Sequence, residues 1–562
     1  MTPERAKAFG AFYTDAAVAE FLVRWAVRRP DDTVLDPSFG GGAFLSAAAA
    51  QVSRLGGAPE QQVYGVELDG EVHAQASREL TGLTNISSQN LICSDFFAVE
   101  PETLPQLAAV VGNPPFIRYQ NFAGEGRKRS AERAQAQGVS LTKLASSWAA
   151  FVVHSATFLR SGGRLGMVVP AELAHAAYAR PVLAFLARTF ERVTLLTFKE
   201  RLFPELSQDT LLLLAEAKDA PREGLFWRDL KNAEELRTLS AASVGADRLP
   251  ETVASGQERL SARLVSAETR ALYQTLTKHP QVSKLGTLAE VGIGYVTGAN
   301  AFFHLSPERA ATLGLPGEHL KRAVFRGAAL SGLAFTEADW KEVGAKDGGY
   351  LLHVVNDAPT LELAAELTAY LAQGEAAAVP GAYKCRVRTP WYKVPHVYTP
   401  DAFLTYMSGL RPQLVANHAG AVAPNTLHVV RLRPHAPLSA DALATCWQTS
   451  LTGLSVELEG HALGGGLLKL EPGEARRVLI ASPAGDVSAL EPELDTLLRQ
   501  GRVDEAQNLA DRVLLQNGLG LDEKECAALR DAAHLLRDRR YYSKVSAANG
   551  RSSGSPQPPP TS

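Results

Sequence analysis

TVLDPSFGGG, residues 33–42, joins a short apolar run to three consecutive glycines, and residues 43–52 continue with a helical pattern. An apolar run of this length, ended by turn residues, predicts a buried strand. Gly40 and Gly42 allow the backbone to turn tightly and to pass close to a ligand. Because no GxGxxG pattern follows, a small nucleoside site is favoured over a dinucleotide pyrophosphate site. A plain strand-to-helix turn is the alternative.

The alternation of strand and helix continues along the first part of the chain. Apolar runs predict further strands over 62–68, 86–93, 107–111, 164–169, 192–198 and 209–217, and periodic patterns predict helices over 70–80, 145–159 and 178–188. Strands that alternate with helices in this way form a mostly parallel sheet with helices on both faces. We therefore predict an α/β, doubly wound domain over residues 1–235.

Four polar side chains, Asp36, Glu67, Asp95 and Asn113, fall at the carboxyl ends of predicted strands. Ligands of such sheets bind at this edge, so we expect the four to converge on one cleft, and we call them the strand-end site. An ionised Glu67 accepts hydrogen bonds from ribose hydroxyls, and Asp95 accepts from an adenine amino group while Phe96 packs on the base. One such acid alone is more often solvated or a helix cap. Three in succession favour a nucleoside-type ligand.

Asn113-Pro114-Pro115-Phe116 follows the apolar run 107–111. Two prolines fix φ and remove two backbone donors, so the chain leaves the strand in a rigid, extended path. An amide, bare carbonyls and an aromatic face held together suit a planar group that carries an exocyclic amine. If Asn113 Oδ1 and the Pro114 carbonyl accept hydrogen bonds from the two N–H groups of that amine, its nitrogen lone pair becomes available for reaction. A strand-ending turn with a buried Phe is the alternative.

Composition narrows the class of protein. The chain has 562 residues, a net charge of −3 and four widely separated cysteines without a CxxC pair. The cysteine spacing argues against a disulfide framework and against a zinc site, so no metal is expected. No apolar run of 18 residues and no signal-peptide pattern occurs, which predicts a soluble intracellular protein without a membrane partner.

The second half of the chain predicts a separate recognition region. We expect a helical connector over 236–285, a mixed α+β domain over 286–482, helices over 483–543 and a disordered Ser/Pro-rich tail over 544–562. Residues 381–398, the basic-aromatic segment, interleave cations with aromatic rings and contain no acid. That composition suits contact with phosphates and base edges; an edge strand with solvated charges is the alternative. The candidate residues in it are Lys384, Arg386, Arg388, Trp391, Tyr392 and Lys393.

A second basic run, Arg127-Lys128-Arg129, lies in a predicted polar loop after Phe116. Two interpretations stay open: a clamp on DNA beside the planar group that the NPPF turn would grip, and a mobile loop.

Several stretches, taken in order, resemble the gamma-class N6-adenine DNA methyltransferases, which are Rossmann-like class I enzymes of type II and type IIG restriction-modification systems. The matching pieces are FGAFYT (9–14), DPSFGGG (36–42), GVE (65–67), SDF (94–96), NPPF (113–116) and FPE (203–205). TGAN (297–300) resembles the opening of the family's target-recognition domain. Phe116 stands where Tyr is commoner, and Asp36 stands where some relatives carry Glu.

The resemblance implies a function and a set of site residues. It implies that S-adenosyl-L-methionine is the cofactor and that Asn113, Pro114, Pro115 and Phe116 are catalytic. It further implies that Phe116 and Phe203 stack on the flipped-out adenine. Thr297 and Asn300 are then DNA contacts. The implied cofactor-binding residues are Phe12, Tyr13, Thr14, Asp36, Pro37, Gly40, Gly42, Glu67, Asp95, Phe96 and Asn113.

Double-stranded DNA is the implied partner. The resemblance also allows a separate restriction endonuclease as a second partner, and the sequence neither requires nor excludes it. No nuclease pattern precedes the catalytic domain, so we expect no cleavage activity. We also expect a monomeric methyltransferase in a bacterial or archaeal cytoplasm, associated with the nucleoid. Two rival interpretations remain: methylation of a protein glutamine or of RNA, and a catalytically silent DNA-binding subunit.

Overall fold

The structure is a computed structural model that describes residues 15–117, 124–141, 146–174, 179–200, 202–203, 210–240, 244–255, 259–354, 363–463, 466–483 and 485–548. The chain forms two compact units. The first contains Met1–Arg263 and Arg539–Ser562, and the second contains Leu264–Asp538.

A nine-stranded sheet forms the centre of the first unit. Its strands are β1 Val34–Asp36, β2 Val63–Glu67, β3 Leu91–Cys93, β4 Leu107–Gly112, β5 Leu159–Pro170, β6 Phe190–Phe198, β7 Thr210–Lys218, β8 Gly224–Leu230 and β9 Asp247–Arg248. They lie in the order β3-β2-β1-β4-β5-β7-β6-β8-β9. β3, β2, β1, β4 and β5 are parallel, whereas β7 is antiparallel to both of its neighbours. The predicted doubly wound, mostly parallel α/β fold is confirmed.

Helices cover the sheet because its central strands are apolar along their whole length. All six residues of β4 are buried. In the helix Ala16–Ala26, Val18, Leu22 and Trp25 are buried and recur at the spacing of one helical face. A Cβ added to Gly166 of β5 would lie 3.5 Å from Leu22 and from Trp25, so this helix packs directly on β5. The helices of the unit are Ala16–Ala26, Ala43–Leu55, Pro59–Gln62, Gly70–Leu83, Gly124–Ala136, Ser147–Thr157, Arg180–Thr189, Glu235–Thr238 and Glu251–Ala254.

The second unit mixes short strands with helices, in agreement with the predicted α+β composition. Its largest sheet has five strands in the order Ala289–Ile293, Leu427–Leu432, Ala402–Thr405, Leu414–Asn417 and Ala334–Phe335. The smaller sheets are formed by Val282–Lys284 with Leu479–Ala481, by His304–Leu305 and Leu320–Val324 on either side of Gly348–Leu352, and by Met407–Ser408 and His461–Leu463 on either side of Leu467–Lys469.

The helices of the second unit are Ala267–Leu276, Leu285–Leu288, Asn300–Phe303, Pro307–Thr312, Glu337–Glu342, Ala365–Ala376, Tyr383–Arg386, Ala440–Cys446, Ser450–Glu459, Pro472–Ala475, Glu491–Arg499 and Val503–Ala510. The π-helix Asp511–Asn517 follows, and then the helix Glu523–Ala548, whose residues up to Asp538 belong to this unit.

The compact units divide the chain at places other than the predicted domain boundaries. Residues 236–263 cluster with the first unit, and β9 extends its sheet by pairing with β8, so the predicted connector 236–285 is not one helical piece. A two-residue strand carries no periodic signal, which is why the sequence pattern missed it. The last helix reaches Ala548, five residues into the predicted disordered tail; residues 549–562 lie outside the described part of the chain.

Among the described residues, no helix combines the length and the apolar character that crossing a membrane requires.

Candidate active site and nucleic-acid interface

The strand order brings the strand-end site together. β3, β2, β1 and β4 are neighbours and parallel, so their carboxyl ends share one edge of the sheet. Asp36 ends β1 and Glu67 ends β2. Asp95 lies two residues after the end of β3, and Asn113 directly follows β4. Backbone bonds link these ends, since Ser94 N donates to Glu67 O at 2.9 Å.

Glu67 holds the glycine turn in place. Its Oε2 accepts from Gly40 N at 2.9 Å, and its Oε1 accepts from Asp69 N at 2.8 Å. Gly40 has φ +49°, and among the described residues a Cβ at this position would meet no atom within 4 Å. Gly42 has φ +82° directly before the helix Ala43–Leu55, a left-handed conformation that glycine adopts without strain. The turn therefore depends on both glycines and on one carboxylate.

Asp36 is a buried acid beside that turn. The residue is 1% exposed, and its Oδ1 accepts from Ser38 N at 3.0 Å. Burial raises the pKa of Asp36 to about 8; the Ser38 N–H opposes this, and the charge of Glu67 adds to it. A Cβ on Gly112 would lie 2.9 Å from Asp36 Oδ1 and 3.1 Å from buried Pro37, so only glycine lets β4 end this close to the acid. A buried carboxyl of this kind is stabilised in its ionised form by a cation that binds next to it.

Asp95 is held from two sides. Its Oδ1 accepts from Phe97 N at 3.0 Å and caps the short 3-10 turn Phe96–Ala98. Its Oδ2 accepts from Arg129 Nη1 at 2.8 Å. The run Arg127-Lys128-Arg129 lies in the helix Gly124–Ala136, so its predicted placement in a loop is wrong. The polar helix lacks the apolar stripe by which sequence patterns reveal helices.

Three aromatic residues predicted to face ligands are buried in the core of the first unit. Phe96 is 2% exposed and stacks between Phe151, at 5.4 Å, and Phe158, at 5.2 Å between ring centroids. The turn capped by Asp95 directs this ring inward, so its predicted packing on the cofactor base is wrong. Phe116 is 8% exposed and Phe203 is 3% exposed. Neither presents an open face, and their stacking on a target base stays a prediction.

The NPPF turn is braced by a residue that the sequence did not reveal. Ser147, at the start of the helix Ser147–Thr157, donates through its Oγ to the Pro115 carbonyl and accepts from Ile117 N at 2.9 Å. Ser147 N also donates to Ile117 O at 3.1 Å. Asn113 is partly buried, and Ser38 Oγ donates to its carbonyl at 3.5 Å. The carbonyl of Pro115 is therefore occupied by the protein itself, contrary to the expectation that the carbonyls of this turn are bare.

In the second unit, TGAN and the basic-aromatic segment are in contact. Arg388 donates to the carbonyls of Val296 and Thr297, each at 2.6 Å. Thr297 is 1% exposed, and its hydroxyl bonds with Asn300 Oδ1. A Cβ on Gly298 would lie 2.6 Å from Lys384 Cβ. Thr297 and Arg388, predicted as DNA contacts, are thus engaged in holding one turn against the other.

The remaining residues of the segment divide into packed rings and exposed cations. Trp391 packs against Phe302 at 5.5 Å, and Tyr392 packs edge-on against Trp391 at 5.6 Å, so both rings are half-buried. Tyr383 is 65% exposed and lies between two cations: Lys384 Nζ is 5.4 Å and Arg386 Cζ is 5.3 Å from its ring centroid. The predicted contacts that stay on the surface are Lys384, Arg386, Lys393 and, in the TGAN turn, Asn300.

The predicted cofactor residues Phe12, Tyr13 and Thr14 lie outside the described residues.

Known proteins resemble both units. The family model described as N-6 DNA Methylase matches residues 1–227, and the one described as Type II methyltransferase M.Eco57I, C-terminal domain, matches residues 257–515. Type II methyltransferase M.XamI of Xanthomonas campestris pv. amaranthicola is 23% identical over 491 residues, which are 85% of this chain and 86% of that protein. Type II methyltransferase M.HindII of Haemophilus influenzae is 20% identical over 314 residues, 53% of this chain and 55% of that protein.

Among solved structures, the Type IIL restriction-modification enzyme MmeI in complex with DNA matches with a TM-score of 0.55 and 10% identity. The match covers 96% of this chain and 80% of that chain. At this level of identity the likeness shows the fold alone.

Proposed function

The chain belongs to the N6-adenine DNA methyltransferase family of restriction-modification systems, and on that premise we propose that it transfers a methyl group from S-adenosylmethionine to N6 of an adenine in double-stranded DNA. The observation that carries the proposal is the strand-end site, in which Asp36, Glu67, Asp95 and Asn113 lie at the carboxyl ends of neighbouring parallel strands, beside the glycine turn.

The residues at this edge fit the cofactor in chemistry and in space. S-adenosylmethionine supplies an activated methyl group on a positively charged sulfur, together with an ammonium group, a ribose and an adenine. Glu67 and Asp95 accept hydrogen bonds and suit the ribose hydroxyls and the adenine amino group. Buried Asp36 suits one of the positive charges, since a neighbouring cation favours its ionised form. Within the described part of the chain, the space beside Gly40 is open and leaves room for a ligand.

The NPPF turn activates the target amine. The lone pair of an exocyclic purine amine is delocalised into the ring, so the amine is a poor nucleophile. Asn113 Oδ1 and the Pro114 carbonyl each accept a hydrogen bond from one N–H group of the amine. These bonds localise the lone pair on the nitrogen. Bound S-adenosylmethionine would supply the methyl group, with the C–S electron pair leaving to sulfur as the N–C bond forms, and N6 would then lose one proton to solvent. Neutral Asn113 is not a base in this scheme, and Ser147 keeps the turn rigid through the Pro115 carbonyl.

An adenine inside a duplex is out of reach, so the base is flipped out before transfer. In the second unit, the exposed cations Lys384, Arg386 and Lys393 support contact with the DNA backbone. Tyr383 adds an exposed ring between two of these cations, which suits a contact with base or sugar.

The proposal is tested with the purified full chain, S-adenosylmethionine labelled in its methyl group and, in parallel, duplex DNA, RNA and protein. We expect label in DNA alone, recovered as N6-methyladenine. Label in RNA or protein, or as N4-methylcytosine, contradicts the proposal. An absence of cofactor binding supports the catalytically silent alternative.

Asn113→Ala is the first variant for this assay. We expect transfer to fall by about 10²- to 10³-fold, because a positioned polar group at the reacting atom is lost. Cofactor affinity is expected to stay within about tenfold, because the side chain serves the base. An equal loss of transfer and of cofactor affinity would instead assign Asn113 to the cofactor.

A further inference from the structure

Arg129 connects the strand-end site with the helix Gly124–Ala136. Its Nη1 donates to Asp95 Oδ2 at 2.8 Å, and the two side chains are only 33% and 25% exposed. We propose that Arg129 is a positioning residue that orients the Asp95 carboxylate toward the 6-amino group of the cofactor's adenine. The inference rests on the proposed use of S-adenosylmethionine.

The two contacts of Asp95 fix its carboxylate and leave it able to accept more bonds. Phe97 N bonds to Oδ1 at 3.0 Å and Arg129 bonds to Oδ2, so the plane of the carboxylate is set before any ligand arrives. An ionised carboxylate offers about four lone-pair positions, and two of these contacts leave acceptor capacity for an amino group. An acceptor that is already ordered spares the ligand the entropy of ordering it.

The helix that carries Arg129 is attached to the same segment by a second arginine. Arg133 Nε donates to the Phe97 carbonyl at 3.0 Å, and its guanidinium pairs with Glu100. A Cβ on Gly126 would lie 3.9 Å from Asp95 Oδ2, so the start of the helix borders the carboxylate. Arg133 thus anchors the helix through Phe97 and Glu100, whereas Arg129 acts on Asp95. This difference supplies a matched control.

The test compares the affinities of two ligands, S-adenosylhomocysteine and its purine counterpart, which lacks only the 6-amino group. The ratio of the two affinities reports the contact with the amino group, whereas a folding defect weakens both ligands. For the wild-type full chain we expect the amino group to tighten binding about tenfold or more, because a hydrogen bond to a charged group is lost without it. In Arg129→Met that ratio is expected to fall to about twofold or less. Arg129→Lys keeps the positive charge and is expected to restore part of the ratio; it also serves if the methionine variant does not fold.

Arg133→Met is the control, and it is expected to weaken both ligands alike and to keep the wild-type ratio. A wild-type ratio near one, with both ligands bound, means that Asp95 does not receive the amino group and overturns the inference. No binding of either ligand means that the cofactor assignment itself fails. A large wild-type ratio that is unchanged in Arg129→Met overturns the positioning role alone. Tighter binding of the amino ligand to Arg129→Met also overturns it, since Arg129 would then compete for Asp95. If Arg129→Met and Arg133→Met lower the affinity ratio equally, Arg129 only anchors the helix, and its positioning role is overturned.

Discussion

The strand-end site of the first unit and the basic-aromatic segment of the second differ in how their residue types relate to their positions. At the strand ends, the topology dictates where each acid lies, because parallel neighbouring strands end at one edge. In the basic-aromatic segment no such frame exists. There, Arg388 donates hydrogen bonds to two backbone carbonyls, while Lys384 and Arg386 lie near the exposed ring of Tyr383. Residue type therefore identifies a site only where the fold fixes the position of each side chain.

The largest expected effect in this comparison concerns the strand-end site and its Glu67. Glu67→Ala removes the acceptor of Gly40 N and Asp69 N as well as the proposed acceptor of the ribose hydroxyls. We expect cofactor affinity to fall on the order of 100-fold in isothermal titration calorimetry, since several bonds to one charged group are lost. Glu79→Ala, an exposed acid on the helix Gly70–Leu83, is expected to change nothing. A folded Glu67→Ala protein with wild-type cofactor affinity contradicts the assignment.

An intermediate effect is expected in the basic-aromatic segment, where it tests the division between packed and exposed cations. Arg388→Met is expected to lower the free energy of unfolding by about 2 kcal/mol, because two partly buried carbonyls lose a charged donor. Lys384→Met and Arg386→Met are expected to leave thermal denaturation unchanged. Each should weaken DNA binding about three- to tenfold and reduce the slope of log K against log salt by about one. The division between packed and exposed cations is wrong if Arg388→Met weakens DNA binding with no loss of stability.

The smallest expected effect is a pH dependence at Asp36. Burial holds the pKa of Asp36 at about 8 in the free protein, so the carboxyl is mostly protonated at pH 6 to 7.5. A bound cation favours the ionised form and lowers that pKa, so cofactor binding releases a proton and tightens as pH rises toward 8. The expected gain is up to about tenfold per pH unit, in the range where the cofactor's own amino group, with a pKa of about 7.7 to 8.0, stays protonated.

Calorimetry in buffers of different ionisation enthalpy measures this proton release directly. Asp36→Asn cannot ionise and should bind with a flat pH profile. Wild-type affinity that is independent of pH, or that rises as pH falls, rules out a cation at Asp36.

Patterns that repeat along the chain allowed the fold and the strand-end acids to be predicted. The contacts that organise the site could not be predicted, because they join residues far apart in sequence. Arg129 reaches Asp95 across 34 positions, and Ser147 reaches Pro115 across 32. Arg388 bonds to the Thr297 carbonyl across 91 positions. Aromatic residues misled for a related reason: Phe96 follows a polar acid in the sequence, yet the turn that Asp95 caps sends its ring into the core.

The most direct test of the central claim is base-resolution sequencing of modified bases in the DNA of a methylation-free bacterial host that expresses the full chain. We predict N6-methyladenine at nearly every copy of one short sequence motif, and no such mark in cells that express Asn113→Ala at the same level. Genomic DNA without N6-methyladenine, from cells that contain folded wild-type protein, would contradict the claim. Methylation at cytosine N4 alone would do the same.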